Sequence, residues 1–213
     1  MGEREKQIRD NPYDQKYAGQ EYYWGMNPSV LCDKVLEIIR PGPNFHPKLL
    51  DIGCGEGRNA VYFAKHGFEV TGLDLSLVGL EKTKRYAEQT GVQVNTIHAD
   101  VITYELEDMF DVIFSTGTLH YLPPAIRKER FCNYKEHTSN GGIIAISVLV
   151  EKPFIPRAPD AEETAFHFKS GELMSYFWDR EILYAIEEIF DCMSSGIPHK
   201  HAVNRIIAKK VLC

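Results

Sequence analysis

The sequence predicts an α/β fold of the doubly wound kind: a mostly parallel seven-stranded sheet with helices on both faces and an antiparallel C-terminal edge. Three observations predict it. Short apolar runs alternate with segments of helical period from residue 31 to about residue 150. A glycine-rich turn follows the first of these runs, and after residue 180 two apolar runs follow one another with no helical period between them. Alternation of strands and helices favours a parallel sheet covered on both faces, and two consecutive strands joined by a loop favour an antiparallel pair.

Taken in order, residues 1–30 mix polar and aromatic side chains, with Tyr13, Tyr17, Tyr22, Tyr23 and Trp24 ahead of Asn27-Pro28-Ser29. They read as a separate N-terminal segment, either a loosely docked tail or an aromatic flap over a pocket. Residues 31–213 read as one domain. Leu31, Val35, Ile38 and Ile39 recur at helical spacing and stop before Pro41-Gly42-Pro43. Lys48 to Ile52 is a buried-strand run, followed by a glycine turn and a helix from about Arg58 to His66. Phe68 to Leu73 is the second strand, and Ser76 is placed to cap a helix reaching about Thr90. Val92 to Ile97 and Phe110 to Ser115 are the third and fourth strands. Pro123 to His137 is a helix entered through prolines, and Gly142 to Val150 is the fifth strand. Pro153, Pro156 and Pro159 then exclude regular structure from a stretch suited to a lid or substrate loop. Ser170 is placed to cap a helix over Gly171 to Trp178, after which Glu181 to Phe190 and Val203 to Val211 close the chain as strands.

Composition narrows the function. The 213 residues suit one domain, and 44% hydrophobic with 25% charged residues is ordinary for a soluble globular protein. No run of 18 apolar residues is present, and the charged start of the chain does not resemble a secretory signal, so a cytoplasmic location and no membrane partner are expected. A net charge of −6 with no Lys/Arg block argues against nucleic acid as a partner. The five cysteines form no CxxC pair, so free thiols and no metal are expected. A small-molecule acceptor and a monomer or weak homodimer complete this expectation.

The glycine turn, Asp51-Ile52-Gly53-Cys54-Gly55-Glu56-Gly57-Arg58-Asn59, lies where an open α/β sheet has its binding crevice. Its spacing is GxGxG, with Arg58 where a dinucleotide fingerprint would place a third glycine, which disfavours an NAD-linked oxidoreductase. Asp74, 23 residues after Asp51, ends the second strand, where a carboxylate accepts hydrogen bonds from ribose hydroxyls. Asp100 ends the third, where a carboxylate takes an adenine amine while the Val101 amide serves a ring nitrogen. The competing reading of either aspartate is an ordinary helix cap. Cys54 reads as a small filler rather than a nucleophile.

This string, with Asp74 and Asp100, resembles the cofactor site of the class I S-adenosylmethionine-dependent methyltransferases, whose fold is Rossmann-like. Gly57-Arg58-Asn59, the Phe166–Leu173 segment with Tyr176-Phe177, and the final Arg205–Lys210 resemble, more narrowly, the tellurite-resistance (TehB-like) methyltransferases. The resemblance implies S-adenosylmethionine as cofactor and S-adenosylhomocysteine as product. It implies that Gly53 and Gly55 contact the methionyl part, that Arg58 meets its carboxylate, and that Ser115 and Thr116 complete the wall. Trp24 resembles aromatic residues near the cofactor in related enzymes. The implied activity is methyl transfer to a small acceptor, either a tellurium or selenium oxyanion or a thiol. The alternatives are an O- or S-methyltransferase of an organic metabolite, or a sensor that binds the cofactor without turnover.

Methyl transfer from a sulfonium is an in-line displacement, so positioning and exclusion of water dominate and no general base is compulsory. Ser115-Thr116-Gly117-Thr118 replaces the Asn/Asp-Pro-Pro-Tyr of amine methylases, which places nucleic-acid and protein-amide methylation low. No residue is assigned as catalytic. His120 and Tyr121 follow the fourth strand on the acceptor side. His199, Lys200, His201 and Arg205 form the densest basic group of an acidic chain, either a solvated loop or an anion-handling segment.

Overall fold

A computed structural model describes residues 11–159, 164–193 and 196–211. The chain forms two compact units, residues 1–104 and 105–213.

In the first unit, helix α1 (Pro12–Tyr17) is capped by the Asn11 side chain, and α2 (Val30–Ile38) by the Ser29 side chain, which accepts from the Leu31 amide. Strand β1 (Lys48–Ile52) leads through the glycine turn into α3 (Arg58–Lys65). Strand β2 (Glu69–Asp74), α4 (Leu77–Gln89) and β3 (Val94–His98) follow. The strands are parallel in the order β3-β2-β1, with Asp51 beside Gly72 and Leu73 beside Ile97. Ser76 caps α4 as its sequence position predicts: its hydroxyl oxygen accepts from the Gly79 amide at 3.0 Å. That hydroxyl donates in turn to Asp14 of α1 at 2.5 Å. The N-terminal helix is thereby docked on the start of α4, and Tyr17 is buried. Leu31, Val35, Leu49, Leu50, Val61, Phe63 and Leu73 are buried around the sheet.

In the second unit, β4 (Phe110–Thr116) runs through a 3₁₀ turn (Leu119–Tyr121) into α5 (Pro124–Glu136). Strand β5 (Thr138–Val150), the short helix α6 (Glu172–Ser175), β6 (Glu181–Cys192) and β7 (His199–Lys209) follow. The order is β4-β5-β7-β6, parallel between β4 and β5 and antiparallel thereafter. The predicted antiparallel edge is therefore present, with β7 between β5 and β6 and the largely exposed β6 outermost.

Three local readings are corrected. Strand β7 begins at His199 rather than Val203, because residues 199–202 pair with Cys192 to Ile189 of β6. The helix after residue 171 spans only four residues, Glu172–Ser175, with Gly171 at its N-cap in the left-handed conformation (φ +75°). Ser170 does not cap it; its hydroxyl is bonded to Lys152 and Glu187.

The segment returning from the proline-rich stretch is held by Arg127. This buried guanidinium donates to the Leu122 and Phe166 carbonyls and to Glu172 Oε1 (2.6 Å), and lies over the Phe168 ring at 3.7 Å. Phe168 adds a parallel bridge to Val150 at the end of β5.

Candidate active site

In the first unit the site is built on the turn after β1. Gly53, Gly55 and Gly57 have φ of +75°, +54° and +87°, a region that a Cβ disfavours. At Gly55 a Cβ would lie 3.0 Å from the Tyr17 hydroxyl, and at Gly57 it would meet Thr83 atoms at 2.8 Å and 2.9 Å. The turn thus lies too close to its neighbours for larger residues.

Asp74 ends β2 as predicted. Its two oxygens accept from the Gly55 and Ser76 amides, each at 2.8 Å. It therefore shapes the glycine turn as well as presenting a carboxylate beside it, and burial raises its pKa against the lowering effect of those two amides.

Asp51, buried at the end of β1, has no hydrogen-bond partner on either carboxylate oxygen. Burial first, and then the neighbouring Asp74 charge, push its pKa from 3.8 up to about 7, while Arg58 and the nearby Ala60 backbone pull the other way. An unpartnered buried carboxylate is costly unless a cation or donor reaches it.

Cys54 is the filler that its position suggests. Its sulfur packs so closely on β2 that a Cβ at Gly72 would meet it at 2.7 Å, and burial with the Asp74 and Asp51 charges holds its thiol well above the usual range.

Arg58 donates to the Trp24 carbonyl at 3.2 Å, and Trp24 Nε1 donates to the Tyr17 hydroxyl at 3.2 Å. Residues 11–29 therefore lie against the glycine turn rather than trailing from it. A buried ion pair fixes them further: Lys82 Nζ meets Glu56 Oε1 at 2.7 Å and donates to the Glu21 carbonyl at 2.8 Å, while Glu56 Oε2 accepts from the Tyr23 amide at 2.7 Å. Asn59 accepts from the Ser29 amide at 2.9 Å, tying the start of α2 to α3. Sequence reasoning missed Glu56, Asn59, Lys82 and Tyr17 as parts of this assembly. Glu56 and Asn59 were visible inside the motif, but their partners lie 26 to 33 residues away.

Asp100 lies two residues beyond the end of β3. Its Oδ1 accepts from the Ile102 amide at 2.9 Å, so it forms a turn of its own with Val101 inside it.

In the second unit Ser115 is buried on β4 and Thr116 ends the strand, paired with Ile146 and Ser147. His120 is buried in the following turn, its ring 4.5 Å from Tyr121 and 6.0 Å from His167, and its Nδ1 has no hydrogen-bond partner. Burial, helped by His167, Arg127 and His201, lowers its pKa to about 3, so the imidazole is neutral at physiological pH.

Strand alternation turns Lys200 to the opposite face of β7 from His199, His201 and Arg205. Lys200 pairs with Asp191 at 2.6 Å and Arg205 pairs with Glu188. His199 and His201 lie with their Nε2 atoms 3.0 Å apart. Lys200 and Arg205 thus already have carboxylate partners.

The family described as "Tellurite resistance protein TehB" matches residues 13–206. A probable S-adenosyl-L-methionine-dependent methyltransferase TehB of Haemophilus influenzae is 32% identical over 143 residues, 64% of this chain and 46% of that protein. A ubiquinone biosynthesis O-methyltransferase of Rickettsia prowazekii is 29% identical over 122 residues, 56% of this chain and 48% of the relative. The chain therefore spans about half the length of the curated relatives it matches. The crystal structure of TehB from Haemophilus influenzae aligns with a TM-score of 0.75 at 24% identity, covering 95% of this chain and 67% of that one, which shows a shared fold. With the family match running from the N-terminal aromatic segment through β7, the chain belongs to the TehB tellurite-resistance family.

Proposed function

We propose that this protein transfers a methyl group from S-adenosylmethionine to a small acceptor. The observation that carries the reading is the unpartnered, buried Asp51 carboxylate behind a glycine turn whose tight approaches leave no room for side chains. These residues fit the cofactor. Asp51 would take its positive charge, the turn would pass its methionyl part, and Arg58 with the start of α3 would hold its carboxylate. Asp74 has its first bonds in the turn and would offer remaining acceptor capacity to the ribose. Asp100 and Val101 would receive the adenine.

The cofactor supplies an electrophilic methyl group on a sulfonium, and the protein's own work is to position and to exclude water. Residues 11–29, held by Glu56 and Lys82, cover the glycine turn and keep Trp24 beside it. In the second unit His120 would offer a neutral imidazole to bind or orient an acceptor. Such a group suits an acceptor already ionised at neutral pH, which supports a tellurium or selenium oxyanion or a thiolate. Tyr121, His199, His201 and Arg205 remain acceptor-side candidates. The resemblance to an O-methyltransferase supports a second reading, a phenolic or other organic metabolite as acceptor.

Calorimetric titration with S-adenosylmethionine, S-adenosylhomocysteine and NAD tests the cofactor, and a labelled-methyl assay across tellurite, selenite, small thiols and phenols tests the acceptor. Binding of both adenosyl compounds without NAD, with turnover on one acceptor class, is expected. Cofactor binding with no turnover on any acceptor leaves a sensor in place of an enzyme, and preferential NAD binding refutes the reading.

A further inference from the structure

The hairpin of β6 and β7 brings together three side chains that the sequence leaves unconnected. Cys192 Sγ and one ring nitrogen each from His199 and His201 all lie within 4.8 Å of one another, and all three residues are partly accessible. The register explains the convergence: Cys192 is directly opposite His199 and Phe190 is directly opposite His201. Residues opposite each other in an antiparallel pair point to the same face, as do residues two apart along a strand. Lys200, between the two histidines, is bonded to Asp191 on the partner strand.

We propose that Cys192, His199 and His201 form a zinc(II) site. Thiolate and imidazole are the donors this ion prefers, and three protein ligands leave a fourth position for water or an exogenous ligand. The His199–His201 Nε2 separation of 3.0 Å is close to the ~3.3 Å edge of a tetrahedron with zinc–nitrogen bonds of about 2.0–2.1 Å. The surroundings of the two imidazoles support the assignment. His199 Nδ1 lies 2.8 Å from the Ile197 carbonyl, which can only accept, so Nδ1 is the donor there and Nε2 is the ring nitrogen turned toward the cluster. Phe190 packs against the His201 ring at 5.7 Å and limits its rotation. Cys192 is in no disulfide. When the ion binds, the thiol proton leaves to solvent and sulfur coordinates as thiolate. The site lies wholly within the second unit and does not depend on the methyl-transfer reading.

The test uses the full chain stripped with a chelator. Zinc is titrated in competition with a chromophoric chelator, and cobalt(II) is followed by absorption. One equivalent of each is expected, the cobalt form showing a thiolate-to-metal charge-transfer band and the intense ligand-field bands of a tetrahedral site. Cys192→Ser should abolish the charge-transfer band. Combined His199→Ala and His201→Ala should weaken zinc binding by more than ~100-fold, beyond what loss of an outer-shell partner costs, with metal-free melting curves showing that each variant is folded. Absence of stoichiometric zinc binding by the wild type overturns the proposal, as does binding with an intact charge-transfer band in Cys192→Ser.

Discussion

Replacing Asp51 with Asn removes a buried titratable group while keeping the shape. A carboxyl raised from 3.8 to about 7 stays protonated in the folded chain while its unfolded counterpart ionises. Folding stability from this group is therefore fully present below pH 4, falls as pH rises from about 4 to about 7, and is flat above. At about 1.4 kcal/mol per pKa unit, the total is on the order of 4 kcal/mol. His120 acts oppositely, since its depressed pKa makes stability fall as pH drops from about 6.5 toward 3. Only the difference between variant and wild type isolates Asp51. Urea unfolding of the cofactor-free proteins between pH 4 and 8 should show Asp51→Asn gaining on the wild type across this window, up to a few kcal/mol at pH 8. The same variant should bind S-adenosylmethionine more weakly, because the partner for its positive charge is gone. A stability difference independent of pH refutes the reasoning, for it would mean that Asp51 titrates normally.

Asp74→Ala removes two charge-assisted bonds to the glycine turn and should cost about 1.5–3 kcal/mol for each bond lost, in thermal stability as well as in cofactor affinity. If calorimetry finds weaker binding with an unchanged melting temperature, Asp74 serves the ligand alone. Gly55→Val meets both a φ of +54° and the Tyr17 hydroxyl, so loss of cofactor binding is expected together with at least ~1–2 kcal/mol of destabilisation; normal titration isotherms would place the cofactor elsewhere. Lys82→Met strands Glu56 in a buried site and should cost about 3–5 kcal/mol, much of it recovered by adding Glu56→Gln. Absence of that recovery in chemical denaturation would show the pair to be uncoupled.

The sequence by itself determined the element order, because period and punctuation are local properties. The alternation of runs, the Ser76 cap, the positive-φ glycines and the strand-end Asp74 were legible for that reason, as were the two closing strands. The family resemblance is borne out by the match over residues 13–206, which takes in Gly57-Arg58-Asn59 and Phe166–Leu173. Only the tertiary structure decided which side chains meet. Lys82 reaches Glu56, and Arg127 clasps the Phe166–Glu172 segment, across separations that no period or spacing encodes. Register decided the C-terminal basic group: with β7 starting at His199, Lys200 turns away to Asp191, Arg205 reaches Glu188, and His199 and His201 turn together toward Cys192. In a strand a one-residue shift reverses every side chain, so the chemistry of this hairpin is fixed by its pairing with β6 and not by its composition.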